Sequence, residues 1–169
     1  MQQASGCMAL VTGANRGIGR GLVEALLERG ARHVYAAARS PATLAPVLDR
    51  NGGGALVQIL AVGALACFPQ VGTYCASKFA TRAMTQGVRL ELHGQGTFVM
   101  AVYSGAVETD MSRNTPREKI SALDHGREVL AALERGETEV CPDFKARAIR
   151  DALAADAAAF ERSLLTRLS

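Results

Sequence analysis

The order of apolar and polar positions cuts the chain into alternating strands and helices. Cys7 to Val11 is a short apolar run of the length expected for a buried parallel strand. Beyond the stretch Thr12-Gly13-Ala14-Asn15-Arg16-Gly17-Ile18-Gly19, the residues Ile18, Leu22, Ala25 and Leu26 recur at helical spacing, and Gly30 ends that helix. His33 to Ala38 reads as a second strand. Ser40-Pro41 then offers an N-cap followed by a proline in the first turn, opening a short helix that Pro46 weakens. Gly52-Gly53-Gly54 leads into a third strand, Ala55 to Ala61, and a long helix runs from about Thr73 to His93 before Gly94. Thr97 to Tyr103 is a fourth strand, Asp110 to Lys119 a polar loop, and Ile120 to Arg135 a helix. Thr138 to Cys141 suits an edge strand. Phe144 to Leu168 is a final helix, with Leu153, Ala157, Phe160, Leu164 and Leu168 at helical spacing. Strand, glycine turn, helix, strand, helix is half of a doubly wound sheet. The expected fold is therefore a Rossmann-like three-layer α/β/α domain with a reduced parallel sheet of about four to five strands.

In the long helix, Ala76, Ala80, Ala83 and Gly87 fall on one face, which predicts close packing there, against the sheet or another helix. Composition narrows the picture. The 169 residues suit one domain around one core, and 49% of them are apolar, enough to fill it. A net charge of +3, from 19 basic and 16 acidic residues mixed along the chain, argues against nucleic-acid binding. The most apolar stretch, Ala55 to Phe68, is too short to span a bilayer, and no signal peptide precedes the first strand. Cys7, Cys67, Cys75 and Cys141 show no paired spacing, and His33, His93 and His125 are scattered. No metal site is expected, and a reduced, cytoplasmic protein is.

The glycines between the first strand and first helix allow a tight turn and close approach of backbone to a ligand. The helix N-terminus there favours a pyrophosphate, so Thr12, Gly13, Asn15, Arg16, Gly17, Ile18 and Gly19 are expected to bind a dinucleotide. An acid at the end of the second strand would bind a ribose 2′-hydroxyl. Here the sequence is Ala38-Arg39-Ser40, and Arg39 with Arg16 suits a 2′-phosphate instead, favouring NADP(H) over NAD(H). Tyr74 and Lys78 stand one helical turn apart on a shared face. An ammonium near the phenol is expected to lower its pKa toward useful proton exchange with an alcohol or ketone.

Together these motifs resemble the short-chain dehydrogenase/reductase family. The matching residues are Thr12 to Gly19, Gly54-Ala55-Leu56-Val57 leading into a strand, and Tyr74-Cys75-Ala76-Ser77-Lys78. Ser104-Gly105-Ala106-Val107-Glu108-Thr109 is similar to the family's Pro-Gly-x-Val-x-Thr loop. The resemblance implies hydride transfer between a nicotinamide and a small carbonyl or alcohol. Tyr74 would be the acid/base, Lys78 would hold the nicotinamide ribose, and Val107 and Thr109 would hold the carboxamide. It also implies a homo-oligomer, since the helix carrying the Tyr-Lys pair commonly lies at a subunit interface in the family.

The sequence departs from that pattern in two places. The family's catalytic serine stands 13 residues before the tyrosine, where this chain has Ala61. Loss of such a donor typically costs about 2.7–4 kcal/mol of barrier, a rate factor of about 10² to 10³. Thr73 and Ser104 are the neighbouring hydroxyls, and Ser104 would add one near the nicotinamide. Thr12 and Tyr74 are also only 62 positions apart. The family usually places about 140 there, so roughly 75–80 residues are missing between Leu44 and Asn51. The missing part would carry a strand with its Asn-Ala-Gly turn and a helix with a catalytic asparagine. The simplest closure of the sheet is for Ala55–Ala61 to pair with Cys7–Val11, which would displace Tyr74 by one strand spacing, roughly 4.8 Å. The leading expectation is an NADP(H)-dependent oxidoreductase of this family. The alternative is a catalytically impaired or inactive remnant that binds nucleotide or a protein partner.

Overall fold

A computed structural model describes residues 4–14, 16–37, 54–114, 116 and 118–166. The elements are β1 (Met8–Thr12), α1 (Gly17–Glu28), β2 (His33–Ala37), β3 (Gly54–Ala61), α2 (Gly72–Glu91), β4 (Thr97–Ser104), α3 (Ala122–Glu134), β5 (Glu139–Val140) and α4 (Phe144–Leu165). Short 3-10 turns occupy Val62–Ala64, His93–Gln95 and Asp110–Ser112. The helix anticipated after Ser40 lies outside the described residues.

β4 is the central strand. Its apolar residues are buried on both sides, as expected where helices cover both faces of a parallel sheet. Met100 and Val102 join Val11, Ala25, Leu26, Val129, Leu130 and Val140 in a core beneath α1 and α3. Ala101 and Tyr103, pointing the other way, pack with Leu60, Ala64, Cys141 and Ala146. This is the Rossmann-like α/β layering expected, with helices on both sides of a small parallel sheet.

The sheet closes differently from expectation. All pairings are parallel, but they form two ladders, β1 with β2 and β3 with β4 and β5. Ala55–Ala61 does not pair with Cys7–Val11 among the described residues, and with that pairing goes the reason to expect Tyr74 displaced. The helix layer holds the ladders in one core instead. α1 and α3 cross at Gly21 and Gly126, so closely that a β-carbon on Gly21 would stand 2.0 Å from the Ala122 carbonyl oxygen. Arg127 donates twice to the Glu28 carboxylate, at 2.8 Å each, and Arg29 pairs with Glu134 across the same crossing. The open edges have visible costs. β3 is only half-buried along most of its length, and Met8 and Leu10 of β1 are exposed.

On α2 the sheet side is formed by Cys75 and Thr85, with Arg89 donating to the Val99 and Thr138 carbonyls. Ala76, Ala80 and Ala83 face outward, beside exposed Phe79, Met84 and Leu90. The close packing expected on this small-residue face is not made against the sheet. α4 is capped by Asp143 and kinks at Asp156 (φ −161°, ψ 98°), and its apolar stripe is only partly covered.

Candidate active site

The sequence-predicted site residues that the structure describes lie at the carboxyl ends of the parallel strands, where doubly wound folds bind ligands. β1 ends at Thr12, and the turn that follows depends on glycine. Gly13 (φ +67°) and Gly17 (φ +54°) are left-handed, and a β-carbon on Gly19 would stand 2.2 Å from the Gly13 carbonyl oxygen. Arg16 is the N-cap of α1, in extended conformation and exposed. Among the described residues, no side-chain cap occupies the first amides of α1, and its first turn carries no acid. An N-terminus on a 12-residue helix with no side-chain cap among the described residues, reached through a glycine-bearing turn, fits a dinucleotide pyrophosphate. Asn15 and Arg39 lie outside the described residues.

The loop after β4 comes to meet this turn. A β-carbon on Gly17 would be 3.1 Å from Thr109 Cγ2. The loop itself is tied down at almost every residue. The Gly105 and Ala106 amides donate to Asp143, at 2.6 and 3.3 Å. Val107 bridges to Ile120, with the Glu108 amide donating to the Ile120 carbonyl at 2.8 Å and the Ile120 amide to the Ala106 carbonyl at 3.0 Å. Thr109 and Ser112 form a capping box, and Ser112 Oγ also donates to the Val107 carbonyl at 2.6 Å. Val107 is buried and Thr109 half-buried.

Tyr74 sits in the first turn of α2, 48% exposed, its ring lying over Gly63. A β-carbon on Gly63 would be 3.3 Å from both Tyr74 Cε1 and Cys75 Sγ. The Lys78 ammonium lies 5.5 Å from the centre of the Tyr74 ring, so it faces the π cloud. The tyrosine pKa is accordingly raised, by burial first and by the neighbouring Cys75 second, and is not lowered by the lysine as expected.

Ala61 ends β3 in register with Ser104 at the end of β4. Ser104 follows the Met100–Val102 side of its strand and meets His125 of α3, with Oγ 2.9 Å from Nε2. Its hydroxyl is thus engaged beneath the loop, while Thr73 is exposed. His125 is fully buried and its Nδ1 has no hydrogen-bond partner among the described residues. Desolvation pushes its pKa down to about 4, against a smaller opposing pull from the Asp143 carboxylate. Ser104, His125 and Asp143 form a buried polar group under the loop; Ser104 was expected near the nicotinamide, but its place in this group, with His125 and Asp143, was not. The signal for Asp143 was its place before a helix; no local pattern marked its contacts to residues 37 and 38 positions earlier.

A separate cavity of about 300 Å³ between α2, β5 and α4 is lined by Arg82, Tyr103, Glu139, Cys141 and Arg150, among others, and by none of the predicted site residues. There Tyr103 Oη donates to Glu139 at 3.0 Å. Burial, and then the Glu139 charge, push the Tyr103 pKa up to about 12.

Residues 41–120 match the family model for short chain dehydrogenases. The chain is similar to a short chain dehydrogenase from Burkholderia cenocepacia solved in complex with NADP, with 32% identity and a TM-score of 0.86, covering 97% of this chain and 100% of that one. A short chain dehydrogenase/reductase from Burkholderia phymatum in complex with NAD shares the fold at 16% identity and TM-score 0.73, over 89% of this chain and 94% of that one. Glycine betaine reductase ATRR of Emericella nidulans is 40% identical over 72 residues, 43% of this chain and 6% of that protein. Seven other curated relatives are covered over only 28% to 42% of their length. The chain belongs to the short-chain dehydrogenase/reductase family, a family of oxidoreductases. Among the described residues, no helix is long and apolar enough to cross a membrane.

Proposed function

We propose that the protein is an internally shortened, NADP(H)-dependent oxidoreductase that reduces a small carbonyl compound or oxidises the corresponding alcohol. The observation that carries this reading is the apposition of Gly17 and Thr109, which joins the pyrophosphate turn to the loop expected to hold the nicotinamide. In this reading Gly13, Gly17 and Gly19 shape the turn, and backbone amides at the start of α1 hold the pyrophosphate. Arg16, with Arg39, takes the 2′-phosphate. The exposure of Arg16 beside the turn and the NADP-bound relative at 32% identity support that preference. Val107 and Thr109 hold the carboxamide.

Held by these residues, a dinucleotide would supply or accept the hydride at its nicotinamide. Tyr74 donates its Oη proton to the carbonyl oxygen during reduction and takes it back during oxidation. Lys78 fixes the tyrosine and binds the ribose. With Ala61 in place of a serine, the oxyanion has one fewer donor, so turnover is slow. The outward Ala76, Ala80 and Ala83 with Phe79 and Met84 suit self-association of two α2 helices. The inactive-remnant reading has less support, because the glycine turn and the loop after β4 stand side by side, as a cofactor site at these residues would require.

A thermal melt with NADP⁺ or NAD⁺ tests the cofactor reading. A ligand at 100 times its dissociation constant that binds only the folded state adds about 2.7 kcal/mol. A melt raised by NADP⁺, and less by NAD⁺, is expected. Indifference to both overturns the reading.

A further inference from the structure

Asp143 lies outside every motif named so far, yet its carboxylate is 1% exposed and is shared between two distant segments. One oxygen, Oδ2, accepts from the Gly105 amide at 2.6 Å. The other, Oδ1, accepts from the Ala146 amide at 3.0 Å and the Ala106 amide at 3.3 Å. The Ala146 contact is an ordinary N-cap for α4, a task that asparagine or serine performs as well. The contacts to Gly105 and Ala106 are not part of any cap. Ala106 shares Oδ1 with the cap, but the Gly105 contact requires a second acceptor oxygen, which a carboxylate has and an asparagine side chain does not.

The loop residue has adapted to that approach. A β-carbon on Gly105 would stand 2.5 Å from Asp143 Oδ1, so a side chain there would push the carboxylate away. Immediately before Gly105, the Ser104 hydroxyl is tied to His125; immediately after Ala106, the chain bridges to Ile120. The segment that presents Val107 and Thr109 is therefore fixed by α3, by the Ile120 segment and by α4, and Asp143 is its only link to α4 among the contacts just described. A loop that must hold a ring within a fraction of an ångström gains from such fixing before the ligand arrives.

We infer that Asp143 is a positioning residue for the cofactor, holding the Gly105-Ala106 backbone so that Val107 and Thr109 meet the nicotinamide half of the dinucleotide. This rests on the cofactor site proposed above. It couples the start of α4 to the reaction centre, so changes at that helix start reach the nicotinamide without touching it.

The test is Asp143→Asn, compared with wild type for binding NADP⁺ and 2′-phospho-ADP-ribose, the same molecule without its nicotinamide ring. Asparagine keeps the cap to Ala146 but turns an N–H₂ group toward the Gly105 amide. The expected result is a roughly tenfold weaker NADP⁺ dissociation constant, with 2′-phospho-ADP-ribose unchanged within about twofold. Faster hydrogen exchange at the Gly105 amide is expected alongside. Equal weakening of both ligands, or of neither, overturns the inference while leaving the cofactor reading standing. Wild-type protein that binds neither NADP⁺ nor NAD⁺ overturns the cofactor reading, and the inference with it. Should Asp143→Asn not fold, Gly105→Ala makes the same comparison, because its methyl displaces the carboxylate from the loop while residue 143 stays an aspartate.

Discussion

Thr109 closes over Gly17: its Cγ2 methyl lies 3.1 Å from the point where a side chain on Gly17 would begin. The two residues are 92 positions apart in sequence, one opening α1 and the other following β4. In the proposed reading, their contact lies where a dinucleotide would cross from the turn after β1 to the loop after β4.

Gly17→Ala should therefore weaken cofactor binding more than it weakens the fold. An L-residue in the left-handed region costs about 1–2 kcal/mol, and the new methyl also presses on Thr109. The melt of the variant alone should fall modestly, while the upward shift caused by NADP⁺ should vanish. A variant that keeps the full NADP⁺ shift would place the dinucleotide elsewhere.

Ala61→Ser should raise turnover if Tyr74 does the chemistry. The gain available from one restored oxyanion donor is about 10² to 10³ in kcat. Tyr74→Phe should abolish activity in both backgrounds, which stopped-flow or steady-state assays of NADPH oxidation would read. The tyrosine pKa lies above its ordinary value of 10 because the ring is partly buried. Carbonyl reduction, which needs the protonated phenol, should thus stay flat from neutral into alkaline pH, while alcohol oxidation climbs. A reduction rate that falls already between pH 7 and 9 would contradict a raised tyrosine as the acid.

These expectations rest partly on what the sequence makes legible and partly on what it does not. The strands and helices follow from apolar periodicity and glycine punctuation. Gly17 and the Tyr74-Lys78 pair were marked by their spacing, and Thr109 by the resemblance of its loop to the family's. Strand order was harder. A strand such as Gly54–Ala61 carries the same pattern whether it pairs on one edge or two, so the split between the β1–β2 and β3–β4–β5 ladders could not be read from it. Ser104 was expected near the nicotinamide, but the alternation of its strand turns it toward His125. The direction of the Tyr74 pKa failed for a different reason. Helical spacing brings Lys78 to the tyrosine but does not say whether the ammonium meets the hydroxyl or the ring face.

Two glycines in helices should respond to alanine in opposite ways. At Gly21 the new β-carbon would be 2.0 Å from the Ala122 carbonyl oxygen, so α1 and α3 must separate. Overpacking of this kind costs about 1–3 kcal/mol, and the clash is with backbone, which cannot rotate aside. At Gly87 of α2, nothing lies within 4 Å of the added carbon, and alanine should stabilise the helix by up to about 1 kcal/mol. Thermal melts of the two variants would settle both signs. Gel filtration of Gly87→Ala and of a bulkier Gly87→Leu adds a check on self-association: if the outward face of α2 joins two copies, leucine should dissociate them.

His125 should make the fold sensitive to mild acid. Its folded pKa of about 4 lies below the ordinary 6.5, because burial disfavours the imidazolium more than the Asp143 carboxylate favours it. The unfolded chain therefore binds the proton more readily. The contribution is fully present above pH 6.5 and is lost as pH falls through the range down to about 4. The full effect is on the order of 3 kcal/mol. Carboxylates such as Glu28 and Asp124, whose pKa values their Arg127 and Ser121 contacts hold low, lose their own contributions as pH falls through the usual carboxylate range toward their lowered folded values. Between pH 6.5 and about 5 the histidine should dominate. Measured by chemical denaturation, wild-type stability should decline across that window, and His125→Gln should flatten the decline. Glutamine can still meet the Ser104 hydroxyl but does not titrate, so a slope unchanged in the variant would show that the acid response comes from another group.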